Sequence, residues 1–346
     1  MRAENRLPIT IVTGFLGSGK TTLLSRVLKH PRFRNTSVII NEYGQAGLDH
    51  RLIRRIEEKT RLLSGGCICC NMREDLVNEL KDILNAYERR ELDTDRVVIE
   101  TTGLADPAPI LFSILMDPIL TNHFYVDFTV CCLDAANGEL HLRDNPESVK
   151  QIVTADKVVI TKTDLVDAGT VDALKSRLGM LNPAAEVMTA ENGNIDAGAL
   201  FVRQEKSAER TEADIREIEQ RLQPHNIKHN ECVRSMSIKF YEPLEWTAFG
   251  LWMSMLLYAH GEKMFRIKGI VDVGDKGPIV INGVQHIIHP PQHLEDWNGE
   301  EKNSQIVFIM KEIEPQQIFR SLSTFQHMLG AYPQIDEINL NPFAGN

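Results

Sequence analysis

At 346 residues the chain is longer than one hydrophobic core ordinarily fills, so one domain of roughly 200 residues and a second near 100 are expected. Its 42% hydrophobic and 25% charged residues are those of a globular protein and exclude a mainly disordered chain. A net charge of -10 offers no general attraction to nucleic acid or to an anionic membrane, and neither is expected as a partner.

The first eight residues are polar, and the apolar run after them, 9–12, is too short for a signal-peptide core, so a cytoplasmic location is expected. The longest apolar stretch, 249–259, falls short of the roughly 20 residues a spanning helix needs and reads as a core helix.

Short runs of Val, Ile and Leu at 9–12, 37–40, 96–100, 126–133, 157–161 and 186–189 alternate with helical stretches. That alternation predicts a doubly wound, mostly parallel α/β sheet whose strands are buried on both faces.

Directly after the first strand, Gly14, Gly19, Lys20 and Thr21 fill the fixed positions of the P-loop pattern, with Gly17, Ser18 and Thr22 completing a candidate phosphate site. Glycines let backbone N–H groups curl around phosphate oxygens, Lys20 neutralises β and γ charge, and the Thr21 hydroxyl can ligate Mg²⁺. Leu23, Leu24, Val27 and Leu28 supply the helix that must follow.

After the second strand, residues 41–49 stand where a nucleotide switch is expected. Glu42 and Asp49 are candidates for metal, Mg²⁺ or water positioning, or are simple loop acids.

Three thiols, Cys67, Cys69 and Cys70, then crowd into four residues beside Gly65 and Gly66. Thiolates this close can share one soft or borderline cation such as Zn²⁺, Co²⁺ or Cu⁺, and three ligands leave a tetrahedral site one short, as a releasing carrier requires. A redox thiol pair and inert buried cysteines are the alternatives.

Asn71 and Glu74 resemble a capping box that opens a helix over 74–87, with Leu76, Val77, Leu80, Ile83, Leu84 and Tyr87 as its apolar stripe. The 96–100 strand ends in Glu100, with Gly103 three residues on. This resembles a Walker B strand entering a switch: Glu100 would face Mg²⁺ or water and the Gly103 N–H the γ-phosphate, unless it is a plain strand end. Lys20, Thr21 and Glu100 are the catalytic candidates.

Cys131 and Cys132 lie in an apolar strand, and Cys232 in another, as core residues. After 157–161, Thr161, Lys162 and Asp164 form a variant of the guanine motif, Thr161 replacing Asn, in which Asp164 would accept from the base; a solvated strand-end loop reads similarly.

The chain is dense in charge from 203 to 231, which sets domains at 1–205 and 231–346 with a linker at 206–230. Beyond it, a strand near 233–240, a helix from Pro243 to about Ala259, several strands and a helix from Pro315 predict a smaller C-terminal α+β domain. His225, His229, His286, His289 and His293 read as surface or packing residues, with metal binding as the alternative.

Taken together, residues 14–21, Glu100 with Gly103, Thr161 with Asp164 and above all Gly66, Cys67, Cys69 and Cys70 resemble the CobW-type P-loop GTPase family of metallochaperones. Residues 266–269 and 281–286 resemble that family's C-terminal domain, so the likeness covers nearly the whole chain. It implies weak GTP hydrolysis with Mg²⁺, metal held by Cys67, Cys69 and Cys70, and delivery to a client metalloprotein as GTP becomes GDP. Zinc is the first expectation and cobalt the second; a homodimer is left open. The chain departs from many relatives in lacking a histidine-rich tract and in placing Ile40 and Gln45 at switch positions, so no accessory surface metal site is expected. A thiol redox sensor and a nucleotide-gated scaffold are the rival classes.

Overall fold

The computed structural model describes residues 6–40, 60–62, 71–201, 233–294, 297 and 302–335. Two compact units emerge, one of residues 1–178 with 185–203, the other of 179–184 with 204–346.

In the first unit, runs of β-branched residues form β1 (Leu7–Thr13), β2 (Thr36–Ile40), β3 (Thr60–Leu62), β4 (Arg96–Glu100), β5 (Phe124–Asp134), β6 (Lys157–Thr161) and β7 (Glu186–Ala190). They make one parallel sheet in the order β3-β2-β4-β1-β5-β6-β7. The helices are α1 (Lys20–Val27), α2 (Asn71–Glu88), α3 (Ala108–Met116), α4 (Pro118–His123), α5 (Gly138–Asp144), α6 (Pro146–Thr154), α7 (Ala168–Leu181) and α8 (Ala197–Phe201).

Alternate strand residues explain the two-faced burial. Val12, Val38, Val98, Val130 and Val159 share a core with Leu23, Leu24 and Val27 of α1. Ile9, Ile11, Val97 and Ile99, pointing the other way, are fully buried as well. β7 departs from the expectation, because among the described residues it has a strand neighbour on one side only and it buries Ala190 alone among its five residues. Tyr87, read as part of the α2 stripe, is exposed, while Leu76, Leu80, Ile83 and Leu84 are buried.

The register fixes where chemistry can gather. Val12 pairs with Glu100, Ile40 also pairs with Glu100, and Asp134 pairs with Thr161. The C-terminal ends of β1, β4, β5 and β6 therefore share one edge, beside the β4–β1 pair where the direction of the connections reverses. That edge is the ligand crevice of open α/β sheets.

The second unit is an antiparallel sheet of β8 (Val233–Phe240), β9 (Met264–Asp272), β10 (Pro278–Val284), β11 (Ile287–Ile288), β12 (Gln292–His293), β13 (Ser304–Lys311) and β14 (Gln334–Ile335). Its path is β11-β10-β9-β13-β8-β14, with β12 on β10. Helices α9 (Trp246–His260) and α10 (Pro315–Leu329) complete its core around Trp252, Phe308 and Leu322.

α9 begins at Trp246 rather than Pro243 because the Glu245 carboxylate accepts from the Thr247 and Ala248 N–H groups, at 3.1 and 2.6 Å. It is not a core helix all round: Phe249, Trp252, Met253 and Leu256 are buried, whereas Leu251, Met255 and Tyr258 face outward. Among the described residues no helix is long and apolar enough to cross a membrane.

Candidate nucleotide site

β1 runs into the loop 14–19 and α1 starts at Lys20, so the loop sits on a helix N-terminus, where backbone N–H groups point outward. Gly14, Gly17 and Gly19 have φ of 138°, 71° and 88°, a region L side chains rarely adopt. A Cβ at Gly14 would stand 2.3 Å from the Cys132 carbonyl oxygen and 2.7 Å from Ser18 Oγ. The first glycine is therefore required both by conformation and by the closeness of β5.

Lys20 is buried and its Nζ donates to the Gly14 and Phe15 carbonyls at 2.9 and 3.2 Å. The ammonium thus lies across the loop it is expected to neutralise. Ser18 is buried, and its Oγ has no hydrogen-bond partner among the described residues, a donor a phosphate oxygen would satisfy. Thr22 is exposed on α1, next to the loop.

Thr21 Oγ1 donates to Glu100 Oε1 at 2.6 Å across 79 residues of sequence. Glu100 closes β4 and is buried. Two hard oxygen donors held in contact fit Mg²⁺, which takes carboxylate and hydroxyl oxygens and keeps several waters. Beyond Glu100, the Thr101 N–H donates to the Val12 carbonyl at 2.9 Å and its hydroxyl to Thr13 Oγ1 at 2.9 Å.

Gly103 follows, pressed on the P-loop: a Cβ there would stand 2.6 Å from the Leu16 N and 2.8 Å from its Cα. Gln151 of α6, fully buried, donates to the Gly103 and Ala105 carbonyls at 3.1 and 3.0 Å. The loop after β4 is thereby gripped from two sides.

On the opposite flank, Thr161 Oγ1 donates to the Ser18 carbonyl at 2.7 Å, with the Leu133 carbonyl at 3.2 Å. The residue that replaces Asn in the guanine motif therefore braces the P-loop from behind. Lys162, at φ 57°, pairs through Nζ with Asp134 Oδ2 at 2.6 Å. Burial opposes ionisation of Asp134, but hydrogen bonds from Lys162, Asn137 and the Ala136 N–H outweigh it and hold the carboxyl below the ordinary range. Asp164 is exposed and accepts from the Asn192 N–H at 3.0 Å.

Sequence reading missed Gln151, Asp134 and Asn192. Asp134 left a trace, as an acid ending an apolar strand run; Gln151 and Asn192 left none. Glu42, Asp49, Cys67, Cys69, Cys70 and Cys232 lie outside the described residues, as do His225 and His229. α2 begins at Asn71 itself, whereas a cap at Asn71 would start the helix one residue later.

Cys131 and Cys132 are buried free thiols; burial pushes Cys132 up to about 12 and Cys131 well above its usual value. Among the described residues, no three His, Cys, Asp or Glu side chains gather as a metal site. His286 packs: its Nδ1 lies 3.1 Å from the Leu257 carbonyl.

A parallel sheet with this loop and this strand-end carboxylate is that of a P-loop GTPase. The profile of the CobW/HypB/UreG nucleotide-binding domain matches residues 8–189, and that of the cobalamin synthesis protein cobW C-terminal domain matches residues 233–326. The zinc chaperone YjiA of Escherichia coli is 30% identical over 315 residues, covering 91% of this chain and 97% of that protein. The zinc-regulated GTPase metalloprotein activator 1 of Schizosaccharomyces pombe is 26% identical, covering 81% of this chain and 76% of that protein. The crystal structure of Zn(II)-bound YjiA GTPase from E. coli shares the fold with a TM-score of 0.67 at 24% identity, over 93% of this chain and 99% of that one. The chain belongs to the CobW family of P-loop GTPases.

Proposed function

We propose that this protein is a GTP-hydrolysing metallochaperone that carries zinc, or secondarily cobalt, on Cys67, Cys69 and Cys70 and passes it to a client metalloprotein. In this reading residues 1–205 bind and hydrolyse GTP, residues 206–230 link, and residues 231–346 form the C-terminal domain. Glu42 is the candidate fourth ligand.

The observation that carries the nucleotide half is the 2.6 Å contact of Thr21 with Glu100, which locks the P-loop to the strand that leads into Gly103. Lys20 supplies positive charge to the β and γ phosphates, and loop N–H groups with the Ser18 hydroxyl supply donors. Thr21 and Glu100 would hold Mg²⁺, which would neutralise charge developing on the phosphates. Gly103, held by Gln151 and Leu16, offers its N–H beside the loop, while Lys162 and Asp164 face the base. Zinc as cargo is supported by the thiol spacing and by the names of the relatives.

Moving a two-state metal site from mostly holding to mostly releasing takes about 5.5 kcal/mol of differential nucleotide interaction. Switch contacts to a γ-phosphate are of a size to supply it. The test is titration of Zn²⁺ and Co²⁺ against a competing chelator with a GTP analogue, with GDP and without nucleotide, alongside a Cys67→Ala, Cys69→Ala, Cys70→Ala variant. Tighter binding with the analogue, lost in the variant, is expected. Equal affinity in all three states would overturn the mechanism and leave a GTPase whose thiols serve another purpose.

A further inference from the structure

We infer that Arg26 of α1 is a positioning residue for base recognition: through Asn194 it holds the turn at residues 191–194 beside Asp164. This rests on the guanine-nucleotide reading above and extends it to a residue of α1.

β7 ends at Ala190, and the chain then reverses over Glu191, Asn192, Gly193 and Asn194. Asn192 and Gly193 have φ of 50° and 74°, and the Asn194 N–H donates to the Glu191 carbonyl at 2.7 Å. Positive φ at both central positions is the type I′ turn, for which Asn-Gly is a preferred pair. Such a turn has a fixed shape, and here it aims the Asn192 N–H at Asp164 Oδ1, 3.0 Å away.

The consequence falls on Asp164. A carboxylate on an exposed loop can rotate; one whose oxygen is held by a backbone N–H cannot do so freely. A carboxylate also has about four lone-pair sites, so Asp164 can accept from Asn192 and from two donors of a base at once. Guanine presents an N–H and an amine on that edge; adenine has an acceptor in place of the N–H.

The turn is in turn seated on α1. Arg26 Nη1 donates to Asn194 Oδ1 at 2.8 Å across 168 residues. A Cβ at Gly193 would stand 3.0 Å from Arg26 Cδ and 3.3 Å from Thr22 Cγ2, so the turn backbone lies directly on the helix that follows the P-loop. One rigid element thus sets the spacing between the phosphate end and the base end of the site. An exposed hydrogen bond contributes little to global stability, so its effect is sought in base discrimination.

The experiment measures GDP and ADP affinity of the full chain as wild type, Arg26→Ala, Asn194→Ala and the double variant, with thermal midpoints taken without nucleotide. GDP affinity is expected to fall about three- to fivefold in each single variant, the size open to an exposed contact that positions the turn without touching the nucleotide. ADP affinity and the midpoints stay unchanged, and the double variant is no weaker than either single. Equal losses for GDP and ADP, no loss for GDP, or losses that multiply in the double variant would overturn the inference. A wild-type protein that binds GDP and ADP alike would remove the guanine reading, and this inference with it.

Discussion

Thr161 gives the sharpest test of how the site is braced. It is buried, its hydroxyl donates to the Ser18 carbonyl at 2.7 Å, and Leu133 O stands at 3.2 Å. Thr161→Val keeps the shape and removes the hydroxyl, so no cavity forms and the change isolates one hydrogen bond. The hydroxyl has a single hydrogen, so one acceptor loses its partner while still buried, at a cost of about 1–3 kcal/mol. For a unit of this size 2 kcal/mol lowers the thermal midpoint by roughly 4–8 °C. Nucleotide affinity should fall as well, because Ser18 is the loop position behind the phosphates. Thr161→Ser, which keeps the donor and loses a methyl, should retain affinity while losing about 1 kcal/mol of stability. The assay is thermal unfolding by circular dichroism with GDP titration. A valine variant equal to wild type in both midpoint and affinity would refute the bracing role.

Gly103→Ala should fold yet release phosphate about tenfold more slowly, because its Cβ meets the Leu16 backbone and the loop must shift; unchanged turnover would show that the close approach is not needed. Asp134 is held below the ordinary carboxylate value, so its ion pair with Lys162 contributes above the unfolded value of about 3.9 and is lost as pH falls through the folded value. The stability advantage of wild type over Asp134→Asn, read from urea midpoints, should therefore be full at pH 7 and shrink below about pH 4; an equal advantage at pH 7 and pH 3 contradicts the pairing. Of six cysteines, Cys131 and Cys132 should stay unreactive toward a thiol reagent at pH 8, since burial holds both thiols protonated. Native protein should then titrate no more than four thiols and denatured protein six; five or six in the native state would refute that burial.

The parallel sheet was legible because strands buried on both faces must be apolar throughout, as 96–100 and 157–161 are. Strand ends were less so. Thr13 and Asp134 extend β1 and β5 beyond their apolar runs because they serve contacts at the sheet edge, not the core. β3 escaped notice because three residues, Thr60–Leu62, are too few for a period to show. In the proposed site, Gly14, Lys20, Thr21, Glu100, Gly103 and Asp164 stand out by residue type and spacing, since the motifs that carry them have fixed positions. Gln151, Asn192 and Arg26 do not: each acts on a partner 28 to 168 residues away, and only folding reveals the pair.

The contacts around the P-loop share a logic that the motifs do not express. Thr161 donates to Ser18, Lys20 to Gly14 and Phe15, Thr101 to Val12, and Gln151 to Gly103 and Ala105, in every case onto a backbone carbonyl. Loops carry unsatisfied carbonyls that regular structure would pair, and each one paired here fixes a segment that must meet a ligand at angstrom tolerance. The P-loop and the loop after β4 therefore behave as one frame: displacing Gly103 strains Leu16 on one side and Gln151 on the other. Ile40, the last residue of β2, pairs with Glu100 on one side and with Leu62 of β3 on the other, and the three clustered cysteines follow β3 in the chain. Glu100, Ile40 and Leu62 thus stand in one row across the sheet, and in the carrier proposed above this row is the path along which a change in the Thr21–Glu100 contact would reach the cysteines.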